Sequence, residues 1–174
     1  MGRDPRRLPP GRWEAPLRCS EGVGDADRGA EGSEKGRHMS LKGKVAILPC
    51  TGIGQVVGTI ARHAAYRVCE DLCPQQTALV CLPALVKGVQ EDLDMVSECP
   101  VLVIEGCNEH CATYALATRG GAPSATVSVP EFMKGKGLKI KRQARRRLAE
   151  PELAVVELVS DKVVAEVGRL RGEP

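Results

Sequence analysis

The sequence predicts an α/β fold: a three-layer, mostly parallel sheet with flanking helices and a C-terminal helix. Short continuous apolar runs at 44–48, 78–82 and 100–104 are bounded by Pro and Gly, the pattern of strands buried on both faces. Between them lie segments whose apolar residues recur three and four apart, as on one face of a helix. Strands alternating with helices in this way imply parallel pairing through right-handed crossovers. The chain has 174 residues, 43% of them hydrophobic, which is enough for one domain with a sizeable core. Aromatics make up only 2%, so Val, Leu, Ile and Ala must build that core.

Residues 1–38 are rich in Gly, Arg and Pro and lack apolar periodicity. Such a stretch buries too little surface to offset chain entropy and is expected to be disordered. A second reading makes Met39 the true start, because Glu34-Lys35-Gly36 would be encoded by a purine run resembling a ribosome-binding site. Either way, 1–41 is a leader or an upstream extension, and the domain occupies 42–170. Cys19 and Trp13 fall in the leader and carry no functional weight.

Within the domain, Lys44-Val45-Ala46-Ile47-Leu48 is the first strand. From Ile53, the positions Val56, Val57, Ile60, Ala61, Ala64, Val68 and Leu72 define an amphipathic helix ended before Pro74. The unit repeats, with a strand at 78–82 and a short helix at 88–98 that turns Val89, Leu93 and Val96 inward. A third repeat has its strand at 100–104 and its helix at 108–118. Ala125-Thr126-Val127-Ser128-Val129 alternates polar and apolar, so it is placed at a sheet edge. Leu153, Val156, Val159, Val163, Val167 and Leu170 mark the C-terminal helix that closes over the sheet.

No apolar run approaches the roughly 18 residues of a membrane span, and the arginine-rich start lacks the apolar centre of a signal peptide. No membrane association is expected, and the cytoplasm is the expected compartment. Thiols stay reduced there, so eight cysteines point to metal or redox chemistry more than to a disulfide framework.

Four of the eight fall together. In an open α/β sheet, ligands bind outside the carboxyl ends of the strands. Cys50 closes the first strand, Cys81 lies near the end of the second, and Cys107 closes the third, with Cys111 four residues on. A Cys₄ set suits tetrahedral Zn²⁺, with Zn–S distances of about 2.3 Å. An iron–sulfur cluster uses the same ligands. Cys50 and Cys107 each lead into a helix, where unpaired amides and the positive helix end are expected to stabilise the thiolate.

Other features read more blandly. Gly52-x-Gly54-x-x-x-Gly58 resembles a dinucleotide turn, but the acid that should bind a ribose is replaced by Cys81-Leu82-Pro83. Cys69 and Cys73 are carried roughly 25–30 Å from Cys50 by a helix starting at Ile53, and they read as structural or surface thiols. Cys99 precedes the third strand and belongs to the opposite sheet edge. His110, between two cysteines, reads as solvent-facing more than as a ligand, and His63 as a boundary residue. Glu105 and Glu109 lack the partner that a hydrolytic mechanism requires. Eight Lys or Arg between 134 and 147 offer charge for phosphates, but no aromatics interleave them, so a solvated face is expected and nucleic-acid binding is not.

Leu48-Pro49-Cys50-Thr51-Gly52-Ile53-Gly54, Val80-Cys81-Leu82-Pro83 and Ile104-Glu105-Gly106-Cys107-Asn108-Glu109-His110-Cys111-Ala112 together resemble the DGC-domain family, small bacterial and archaeal α/β proteins described as zinc-binding. The resemblance covers most of 44–170. It implies Cys50, Cys81, Cys107 and Cys111 as the metal set, and it implies a site without naming a reaction. One departure is Glu105, where the family's name-giving motif has Asp. The extra methylene puts a tight hydrogen bond from that carboxylate in doubt.

The expectation is therefore a small metal-binding protein, with zinc ahead of an iron–sulfur cluster. The alternative is a redox or thiol-transfer enzyme using one of the same cysteines. A metal ion is the one partner the sequence names.

Overall fold

The computed structural model describes residues 40–140 and 147–173. Residues 1–39, on which the leader and start-site readings fall, positions 141–146 of the basic run and Pro174 lie outside the described residues. Four parallel strands form one sheet in the order β2-β1-β3-β4, where β1 is Val45–Pro49, β2 Thr77–Leu79, β3 Val101–Glu105 and β4 Ala125–Ser128. The α/β architecture expected from the apolar runs is the architecture found. β1 and β3 are buried along their whole length, which explains why neither alternates in hydrophobicity. β4 is an edge strand, as its alternation predicts.

The inner strands feed both faces. Val45 and Ile47 of β1, with Leu102 and Ile104 of β3, pack into one apolar cluster, which includes residues of α1 (Val56–Tyr66) and α6 (Glu150–Arg171). Ala46 and Leu48, with Val101 and Val103, enter the other, beneath α2 (Leu82–Lys87), α3 (Gln90–Glu98) and α4 (Cys111–Ala117). A short α5 (Val129–Gly135) follows β4, with Ser128 Oγ accepting the Glu131 amide at 3.4 Å. α6 buries Val155, Val156, Val159, Val163, Val164 and Val167 on one face. Each valine taken fully out of water contributes roughly 1.5–3 kcal/mol before chain entropy is counted.

Several boundaries differ from those read in the sequence. The first helix starts at Val56, three residues after Ile53, because Gly52 to Gln55 form the turn that leaves the sheet. It then rewinds over Arg67–Leu72 into a π-helical turn, closed by the Cys73 amide donating to Val68 O at 2.8 Å. That rewinding keeps both Val68 and Leu72 buried. β2 ends at Leu79, and α2 and α5 were not foreseen, since each opens on a Pro that suggests a strand exit as readily as a first helical turn.

No helix among the described residues is long and apolar enough to cross a membrane.

Candidate functional site

The strand order reverses between β1 and β3: the chain steps from β1 outward to β2 on one side, and from β3 to β4 on the other. Loops leaving adjacent strands at such a point diverge and open a crevice at their carboxyl ends. Cys50 lies one residue past β1, still tied to β3 by its amide donating to Ile104 O at 2.8 Å, and is only 2% exposed. Its Sγ accepts the Gly52 amide at 3.4 Å. Arg62 of α1 donates to Thr51 O at 3.0 Å and to Thr59 Oγ1 at 3.2 Å, anchoring this loop to the helix behind it.

Glycines then bring the loops together. A Cβ on Gly58 would stand 2.2 Å from Gly52 O, and one on Gly106 would stand 2.8 Å from Gly58 Cα. The loops after β1 and β3 thus meet backbone to backbone through the first turn of α1, an approach that any side chain would prevent.

Glu105 ends β3 and is fully buried. Its Oε1 accepts the Thr113 amide at 2.8 Å and its Oε2 the Ala112 amide at 3.4 Å, so the carboxylate caps α4. The doubt attached to glutamate here is answered: the longer side chain reaches the helix across the intervening turn. That turn also explains why α4 begins at Cys111 and not at Asn108. His110 takes the left-handed conformation, φ +51°, reversing the chain just before the helix.

The capping arrangement bears on the thiol chemistry expected at the helix start. The amides that would favour a thiolate are already bonded to Glu105, and the Cys111 thiol pKa is raised. Partial desolvation is the main cause, followed by the neighbouring Cys50 and Cys107 and then Glu105 and Glu109. Cys111 is therefore within electrostatic reach of Cys50 and Cys107. Cys107 is half-buried and Cys111 exposed. Ile53, just after the Cys50 loop, and Tyr114, one turn beyond Cys111, also stand out into solvent.

Cys81 reaches the same end of the sheet on the neighbouring strand. Val80 N–H donates to Ile47 O at 2.9 Å, and the chain then leaves β1, so the Cys81 amide has no strand partner. Asp92 supplies one: its Oδ1 accepts that amide at 2.7 Å. Cys81 O in turn accepts the Leu85 amide at 2.8 Å, opening α2. Arg119, just beyond α4, donates through Nε to Leu85 O at 3.0 Å and through Nη2 to Val86 O, clamping the helix that starts after Cys81 to the one that starts at Cys111. Neither Asp92 nor Arg119 was singled out from the sequence. An acid in a helix's first turn and a basic residue near its end are ordinary capping signals.

The remaining cysteines lie elsewhere. Cys69 sits in the π-helical turn, half-buried, and burial pushes its thiol up to about 11 despite a hydrogen bond with Thr77. Cys73 is fully buried and is disulfide-bonded, a correction to its reading as a thiol. Cys99, at the amino end of β3, donates to Leu41 O at 3.6 Å. His63 faces Tyr66 edge-on, ring centroids 6.4 Å apart, and His110 is exposed.

Among the described residues, no three His, Cys, Asp or Glu side chains are gathered closely enough to hold a metal ion. The donor set suits a thiophilic metal in kind: Cys50 follows β1, Cys81 follows β2, and Cys107 and Cys111 follow β3. A Cβ at Gly52 would lie 3.4 Å from Cys50 Sγ, so glycine keeps that sulfur uncrowded.

The sequence pattern that defines the DGC domain matches residues 46–151, more than half of the chain. The chain belongs to the DGC-domain family. No curated protein and no solved structure matches it.

Proposed function

We propose that this protein holds a zinc ion on the thiolates of Cys50, Cys81, Cys107 and Cys111, and that it works as a small metal-binding protein. The observation that carries this reading is the placement of Cys50, Cys107 and Cys111 just past the carboxyl ends of β1 and β3, at the strand-order reversal. Cys81 lies at the end of the adjoining strand. Thiolates are the preferred donors for zinc, and four of them complete a closed tetrahedral site.

Binding would turn the exposed Cys81 and Cys111 side chains inward and release their protons, so affinity should fall as pH falls. Bound zinc would supply a cross-link among the loops after β1, β2 and β3 and would stabilise the fold by mass action.

The test is metal analysis with absorption spectroscopy on anaerobically purified protein, beside Cys107→Ser. Colourless protein with about one zinc per chain, lost in the variant, is the expected result. A brown visible spectrum would replace zinc by an iron–sulfur cluster on the same ligands. Metal-free protein in which one of the four thiols is alkylated rapidly and selectively at neutral pH would overturn the reading in favour of a thiol-transfer enzyme.

A further inference from the structure

Cys81 differs from the other three candidate ligands. Cys50, Cys107 and Cys111 belong to two loops locked together by Gly58 and Gly106 and by the Glu105 cap. Cys81 hangs from β2, a three-residue strand at the sheet edge, with its side chain exposed. Its backbone is nevertheless fixed on both sides, by Asp92 at the amide and by the first hydrogen bond of α2 at the carbonyl. Asp92 is 5% exposed, and its bond spans eleven residues of sequence. It is the third residue of α3, where an acid can reach back to its own helix's N-cap, but the Val89 amide there already donates to Ala84 O at 3.0 Å. A buried carboxylate diverted in this way needs a compensating donor, and the Cys81 amide provides it.

We propose that Asp92 is a positioning residue for the candidate metal site, holding the Cys81 backbone where its thiolate can join those of Cys50, Cys107 and Cys111. This rests on the metal-binding reading above and adds a role outside the four cysteines. Hydrogen-bonded groups behind metal ligands typically change affinity about 10–100-fold when removed. The effect here is one of placement, since a negative charge beside thiolates would otherwise oppose them. Asp92→Asn, which keeps an acceptor oxygen in place, should therefore behave like the parent protein. Asp92→Ala and Asp92→Glu, which remove or displace it, should not.

The test is a cobalt(II) titration of the metal-free full chain, with thiolate-to-cobalt charge transfer reporting the number of sulfurs bound. Hydrogen exchange at the Cys81 amide, measured without metal, is the second readout. The parent protein and Asp92→Asn should give a four-thiolate spectrum and a protected Cys81 amide. Asp92→Ala should lose about a quarter of the charge-transfer intensity, bind cobalt about 10–100-fold more weakly and exchange that amide faster. Should the alanine variant not fold, Asp92→Glu serves, with the same weakening expected. Four-thiolate binding of parental affinity in Asp92→Ala or Asp92→Glu, or weakened binding in Asp92→Asn, would overturn the role of Asp92 while leaving the Cys₄ reading standing. A parent protein that binds no cobalt would overturn both.

Discussion

Two pairs of cysteines in this chain have identical spacing. Cys69 and Cys73 stand four apart, as do Cys107 and Cys111. The first pair lies where the long first helix rewinds ahead of the amino end of β2, with one thiol pushed up by burial and the other residue fully buried. The second lies at the carboxyl end of β3, on a turn tied to the Cys50 loop through glycine contacts and capped by a buried carboxylate. Spacing alone therefore carries little chemistry. What separates the pairs is which end of the parallel sheet they occupy, since only the carboxyl end has diverging loops.

The largest expected effect tests the glycine lock that distinguishes the second pair. In Gly58→Ala the new methyl group meets the Gly52 carbonyl oxygen, backbone that cannot swing aside, and the cost should be about 3 kcal/mol in urea unfolding. A loss comparable to that of an exposed helix substitution would mean the loops are not locked.

Glu105→Ala should cost about 2 kcal/mol, because it leaves the Ala112 and Thr113 amides without their acceptor. It should also loosen Cys111 relative to Cys107 and leave Cys69 untouched, which cysteine alkylation rates can read.

The first pair is tested by pH. The Cys69 thiol is raised from 9.0 to about 11, so folding favours its protonated form. That stability is present below the unfolded value and is lost as pH rises from 9.0 through about 11. The thermal midpoint should fall across that window, and Cys69→Ala should flatten the fall. Unchanged pH dependence in the variant would remove Cys69 as a cause.

The smallest effect is at Glu166 on α6, whose pKa is lowered by hydrogen bonds from Lys162 and Arg169 at the surface. Its contribution is present above the ordinary carboxylate range and lost as pH falls through the lowered value. Glu166→Gln should cost no more than about 0.5 kcal/mol at neutral pH, measured by urea unfolding.

Much of the fold was legible because the inner strands and the helix faces write their burial into the sequence: Val45 to Leu48 as an unbroken apolar run, and α6 as a valine repeat. The placement of Cys50 and Cys107 at strand ends followed from the same periodicity. Other parts were set by contacts that local pattern does not contain. Asp92 finds Cys81 eleven residues away, and Arg119 reaches Leu85 across thirty-four. Glu105 could be noticed as a departure from a motif, but that its carboxylate would cap α4 depends on the left-handed turn at His110, a conformation that histidine does not announce. The rewinding after Tyr66 was hidden because Val68 and Leu72 also satisfy a continuous α-helical period.

The central claim is that position on the sheet, and not cysteine spacing, makes the thiol centre. The most direct measurement is alkylation of each free cysteine, followed by mass spectrometry, in metal-free protein before and after one equivalent of zinc. The account predicts that zinc protects Cys50, Cys81, Cys107 and Cys111 together and leaves the slow labelling of Cys69 unchanged. Protection of Cys69, or no protection at Cys107 and Cys111, would contradict it.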